Sequence, residues 1–220
     1  MGSTKYPDEN SFSNLISSHG GYSNAYTDME LTNYQFRVDA KGLYQALDMF
    51  AWLLKDPLLK EDAQEREIKS IESEYEVNYP YDSSRRFQLL CSNTSSKNHL
   101  LNRFTWGNIK SLKSHKPEEL LKDLRAFFEE QYSADRMKLV VQMKTEDDMA
   151  EVKKNVIEIY SQMLNRGFGK QNFGLTKDHK AITMPYEKNY HEMIIFNGVK
   201  NQNQLYMLFT FPTETDKKKV

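Results

Sequence analysis

The feature that most constrains this chain is the change of period at Gly20-Gly21. Before it, in "SFSNLISSH", Phe12, Leu15 and Ile16 fall at helical spacing, so Ser11 to His19 reads as a short helix that the glycines end. After it the spacing is two. Ser23 to Thr27 and Thr32 to Val38 read as strands, with Tyr34, Phe36 and Val38 on one side of the second and Asn33, Gln35 and Arg37 on the other. Asp28-Met29-Glu30 falls between them as the turn of a hairpin.

Helices follow. Leu43, Ala46, Leu47, Phe50, Ala51 and Leu54 form one apolar stripe that Pro57 ends. Asp62 to Asn78 is a charged helix with a thin stripe of Ile68, Ile71 and Tyr75. Ser83 to Ser92 is amphipathic through Phe87, Leu90 and Cys91. "FTWGN", Phe104 to Asn108, is a loop with two large aromatics. Pro117 suits a first helical turn, and Leu120, Leu121, Leu124, Phe127 and Phe128 are the expected buried face of that helix. "MKLVVQM", Met137 to Met143, reads as a strand. Thr145 then caps a helix whose stripe is Met149, Val152, Val156, Ile159, Tyr160 and Met163. The expected fold class is α+β, with an antiparallel sheet covered by several helices. "GFGKQNFGLTKDHK", residues 167–180, is the best boundary, so residues 1–170 form a first domain and 171–220 a linker and the start of a second. Glu192 to Phe196 and Gln204 to Phe211 read as a strand pair, too little for a core of its own.

Thirty basic and 31 acidic residues leave a net charge of −1, which gives no reason to propose nucleic acid or an anionic membrane as partner. One cysteine, Cys91, excludes an internal disulfide and reads as a small packing residue. No apolar run approaches the roughly 20 residues that span a bilayer, and no signal peptide is visible, so the cytoplasm is the default compartment. The Met1-Gly2 start lacks the Ser or Thr that myristoylation wants at position six, where Tyr6 stands. No two of the five histidines lie three to five residues apart, and HExxH, HxxEH, CxxC, GxSxG and phosphate-loop motifs are all missing. The chain therefore carries no complete active site of a known pattern.

Two places leave a choice open. On the helix Asp62 to Asn78, Glu67, Ile71, Glu74 and Asn78 follow at i, i+4, i+7 and i+11, which aligns two carboxylates beside the apolar stripe. The ordinary reading is a solvated face; the sharper one is an acid ligand for a metal whose other ligands lie elsewhere. Asn24, Ala25 and Tyr26 sit on a strand that is either an ordinary edge or one that pairs with an extended peptide.

"GSTKYPDENSFSNLISSHGGYSNAYTDMELTNYQFRVD", "DPLLKEDAQEREIKSIESEYEVN", "FTWGN" and "YSADRMKLVVQ" together resemble the insulinase-like family of zinc metallopeptidases, its insulin-degrading and nardilysin branch more than the mitochondrial processing peptidases. The resemblance is collinear from Gly2 to about Met163 and resumes faintly in "QNQLYMLFTFP". It implies one of four related α+β units, paired as a clamshell around a closed chamber, here truncated at both ends. In the family a strand and a helix carrying HxxEH come just before the "GSxxYP" stretch, so this chain is expected to be an internal piece, starting right after that helix. By position, Glu74 matches the distal glutamate ligand of Zn²⁺, and Glu67 an acid that supports the site from behind the ligands. Asn24 and Ala25 match the edge strand that pairs with substrate backbone, and Phe87 lies near the pocket for the side chain after the scissile bond. The two zinc histidines and the general-base glutamate have no counterpart, so no catalytic residue is assigned and the 220-residue chain alone is expected to be inactive and to hold zinc weakly or not at all. Implied partners are peptide substrates and the C-terminal half of a longer parent. The absent strand and helix would leave apolar surface through which two copies could join. The alternatives are a non-catalytic scaffold or peptide-binding unit of the same family and an unrelated α+β interaction domain.

Overall fold

The computed structural model describes residues 1–28, 31–79, 83–97, 99–114, 116–144, 149–168, 193–195, 205–207 and 209. The chain divides into two units, Met1–Glu67 with Leu112–Phe173, and Ile68–Ser111 with Gly174–Val220.

In the first unit, helix α1 (Ser11–Ser18) buries Phe12 and Ile16. Gly20 ends the turn at φ 62°, a left-handed conformation that glycine adopts without penalty. Gly21 has no room for a side chain, because a Cβ there would lie 1.9 Å from the carbonyl oxygen of Arg37. The helix therefore runs straight into a hairpin of β1 (Tyr22–Thr27) and β2 (Thr32–Arg37), antiparallel from Tyr22 opposite Arg37 to Thr27 opposite Thr32. Met29 and Glu30 of the expected turn lie outside the described residues. The Asp39 side chain accepts the N–H of Gly42 at 2.9 Å and starts the short turn that leads into α2 (Leu43–Lys55).

Phe12 of α1, Phe36 of β2 and Phe50 of α2 close a triangle of rings, with centroids 5.7, 5.8 and 5.0 Å apart. Such pairs add about 0.5–1.5 kcal/mol each beyond the area they bury. Ile16, Ala46 and Met49 are buried with Phe12, and Tyr6, Leu15, Val38 and Leu53 pack against them. The N-terminal segment clamps the end of α2: Leu58 donates to the Gly2 carbonyl at 2.9 Å, and Thr4 to that of Asp56 at 3.2 Å. Ser3 between them is fully buried.

Helix α6 (Pro117–Gln131) begins on its proline, and α7 (Met149–Tyr160) packs on α2 through buried Val152. Buried Ser133 ties the ends of these helices together. Its hydroxyl accepts the N–H of Arg166 at 2.9 Å and donates to Asp135. Three expectations change here. The apolar face of α6 is not buried, with Phe127 54% exposed; Phe127 and Phe128 pack instead on Tyr132, with centroids 6.3 and 5.0 Å away. Met137 to Met143 is not a strand, and Val140 is 88% exposed. A strand needs a neighbour to pair its backbone, and none of the described residues supplies one. At the start of α7, Met149 is exposed rather than part of a buried stripe, and the expected cap at Thr145 lies outside the described residues.

Helix α3 (Glu61–Asn78) begins in the first unit and ends in the second. Its start is fixed by Arg66, which bonds Glu9 through two contacts of 2.8 Å and Asp62 at 3.0 Å, and by Gln64, which donates to the Pro117 carbonyl at 3.2 Å. The second unit adds α4 (Ser83–Thr94), which buries Cys91, and one turn of helix, α5 (Ile109–Leu112). The strand pair expected near the C-terminus lies mostly outside the described residues; 193–195, 205–207 and 209 belong to no helix or strand. No described helix is long and apolar enough to cross a membrane.

Asp48 anchors α2 to the N-terminal clamp. Burial pushes its carboxyl up, but the hydrogen bonds from Lys5, at 2.6 Å, and from Tyr6 outweigh that and hold it below the usual range. The same bond raises Lys5. A depressed carboxyl stabilises above its unfolded value of about 3.9 and loses that contribution as pH falls through the folded value; raised Lys5 loses its share as pH climbs past about 10.4. Asp48→Asn should cost about 1 kcal/mol at pH 7, less than a buried charged hydrogen bond because Lys5 is 45% exposed. Urea unfolding should show that difference shrinking at pH 3.

Candidate functional site

The hairpin sets the direction of its own backbone. Asp28 donates to the carbonyl of Leu31 at 2.8 Å, so 28 and 31 are a hydrogen-bonded pair. Pairs alternate along an antiparallel ladder. Tyr26 with Asn33, Asn24 with Gln35 and Tyr22 with Arg37 therefore exchange bonds, while Ser23, Ala25 and Thr27 turn their N–H and C=O groups away from β2. Among the described residues no strand lies on that outer side. All six residues of β1 are exposed. Asn24 and Ala25, singled out from the sequence, adjoin in a particular way: the outward N–H of Ala25 is held by Oδ1 of Asn24 at 2.9 Å.

The two acids on α3 are both exposed, and none of the helix's 18 residues is buried. Glu67 closes the first unit's stretch of the helix and Glu74 lies in the second. Near Glu74 the Asn78 amide donates to the Glu74 backbone carbonyl at 2.9 Å, which leaves the carboxylate out of that bond. Phe87, on α4, is half-buried and its ring lies 5.2 Å from that of Tyr206.

Sequence reasoning missed the residues that hold the aromatic loop. Glu72, two positions before Glu74, accepts the backbone N–H of Ile109 at 2.6 Å, at the start of α5. The Asn108 side chain accepts from Ser111 N–H at 3.0 Å, a second cap on the same turn. Trp106 lies 5.7 Å from Tyr75 and carries the Arg85 guanidinium 3.5 Å from its centroid, a cation–π contact worth about 0.5–2 kcal/mol. The signal in the sequence was an acid and an aromatic three apart on α3, Glu72 beside the Tyr75 of the apolar stripe.

Chemically, the second unit offers exposed carboxylates at Glu74 and Glu76 on α3 and a loop held by caps and rings. Among the described residues, no three His, Cys, Asp or Glu side chains converge to hold a metal ion. The first unit offers an outward strand edge.

Residues 1–107 match the model of the insulinase family, Peptidase family M16. The nardilysin of Pongo abelii is 42% identical over 182 residues, 81% of this chain and 16% of that protein. A Schizosaccharomyces pombe protein bearing the name of a zinc protease is 36% identical over 224 residues, all of this chain and 22% of its own length. The crystal structure of pitrilysin superposes with a TM-score of 0.69 at 29% identity, over 76% of this chain and 17% of pitrilysin. The chain thus spans about a fifth or less of the length of each of these proteins.

Removing the Glu72 acceptor should free the loop at its cap. Glu72→Ala is expected to cost about 1 kcal/mol and to speed tryptic cleavage after Arg103 and Lys110. Glu74→Ala, two residues on, should leave that cleavage rate unchanged.

Proposed function

We propose, for a chain that belongs to the insulinase family of peptidases, that it supplies a zinc peptidase with one metal ligand and with the strand edge that receives the peptide. Three observations support this. Residues 1–107 match the family model, and of the three this carries most weight. The Glu74 carboxylate is exposed on α3. The outer edge of β1 presents the backbone groups of Ser23, Ala25 and Thr27 with no strand on them among the described residues.

In this reading an extended peptide adds to β1 as a further strand. Its backbone pairs with the outward groups of Ser23 and Ala25, which fixes the peptide's register without reading its side chains. Phe87 lines the pocket for the side chain that follows the cut. Glu74 is the ligand, and Glu67, about two turns earlier, steadies the site. The described residues do not make a zinc site by themselves, so the remaining ligands and the proton-transferring acid belong to other parts of the parent protein. Bound zinc would polarise the peptide carbonyl and lower the pKa of a water. Residues 171–220 serve as a linker and the start of a second related domain, and the C-terminal part of the parent closes over the peptide.

The two acids make the test. In the full-length parent, Glu67→Gln should lower metal affinity by about 10- to 100-fold, as the loss of a residue supporting a ligand does, and Glu74→Gln should lower it further and abolish peptide hydrolysis. Equal, small effects from both would sink the assignment of Glu74. A parent that binds peptide but never cleaves it would make the unit a scaffold. The 220-residue chain by itself should release no product from a quenched fluorescent peptide and should bind zinc more weakly than the parent does, as titration calorimetry would show.

A further inference from the structure

An outward strand edge is a hazard as well as a site, since any extended segment can pair with it. The hairpin answers that hazard with one side chain. The ladder turns the N–H of Ala25 outward, to the position where a further strand would place a carbonyl. The carboxamide oxygen of Asn24 is already there, 2.9 Å from the nitrogen. Asn24 can do this because its side chain stands on an exposed face of β1, one residue before the outward amide, and folds back over it. We propose that Asn24 is the guard of this edge: in the free protein its carboxamide occupies the Ala25 N–H, and a peptide joining β1 must first displace it. The second half of that statement rests on the reading of β1 as the peptide-receiving strand; the first half does not.

The experiment has two arms on the 220-residue protein. Amide exchange at Ala25, followed by NMR, reads the guard. Asn24→Ala should speed exchange of that amide about fivefold, the equivalent of one net hydrogen bond of about 1 kcal/mol. Asn24→Asp, which keeps an acceptor at the same reach, should restore protection. The amide of Asn24 itself, paired inward, should be unmoved in every variant and reports that the hairpin is intact. Unchanged Ala25 exchange in Asn24→Ala overturns the guard. The second arm measures binding of a fluorescein-labelled, acetyl-capped Val-Ala-Val-Ala-Val peptide by anisotropy. Asn24→Ala should bind it about fivefold tighter than the unaltered protein, through the same hydrogen bond no longer displaced. Weaker binding by Asn24→Ala overturns the competition and makes Asn24 a direct peptide contact. If no variant binds the peptide while the exchange arm behaves as expected, the guard stands and the peptide-receiving reading of β1 falls.

Discussion

Everything in the first unit depends on the contact of three rings, Phe12, Phe36 and Phe50. They come from three different elements, so their packing fixes α1, β2 and α2 at once. The strand's period then propagates the constraint. With Phe36 turned to the core, Gln35 and Arg37 must turn away, and a slip of one residue would exchange the two sets. Sliding Phe36 out would expose a large aromatic and empty the centre of the cluster, a change of about 3–5 kcal/mol on the scale of Phe-to-Ala substitutions. The rings thus decide where the side chains of the hairpin go. The direction of its backbone groups is decided separately, by the hydrogen-bonded pair Asp28 and Leu31 at the turn. The outer edge of β1 exists because the two constraints agree.

Local elements were legible because their causes are local. The Gly20-Gly21 break, the alternation through Tyr34, Phe36 and Val38, the stripe through Ala46, Leu47 and Phe50 and the proline at 117 each produced the element they imply. What failed was burial. Phe127 and Leu124 have the spacing of a core face and remain exposed on α6; spacing shows that a face can be covered, and coverage needs a partner that no stretch of sequence names. Val140 failed the same way, since an apolar run becomes a strand only when another strand bonds it. The α+β class survives because the hairpin alone secures it, and pitrilysin shares the arrangement.

The acids of α3 show the limit most clearly. Glu67, Glu72 and Glu74 are chemically identical and lie on one helix. The resemblance singled out the first and last. The structure shows Glu72 taken by the N–H of Ile109, a residue 37 positions away, and nothing in the local pattern announces that return of the chain. Where Glu74 stands therefore depends on how α3 is held rather than on its own composition. The helix buries none of its residues and has Glu61 and Asp62 in the first turn, where the positive end of the helix favours them. Arg66 fastens its beginning to Glu9, and Glu72 and Tyr75 fasten its end to the loop with Trp106. Within the second unit the Glu74 carboxylate is carried on a stretch of helix held by Glu72 and Tyr75 and stays exposed, which spares it the desolvation that burial would impose.

The N-terminal clamp carries one more implication. Gly2 is so tightly seated that a methyl group at its α-carbon would stand 2.5 Å from the carbonyl oxygen of Pro7, while Met1 beside it is 57% exposed. The boundary between tolerance and intolerance therefore falls within a single peptide bond. A different side chain at position 1 finds room in the exposure Met1 has. Alanine one position later would wedge the strap off Asp56 and Leu58 and slacken the final turn of α2 from outside.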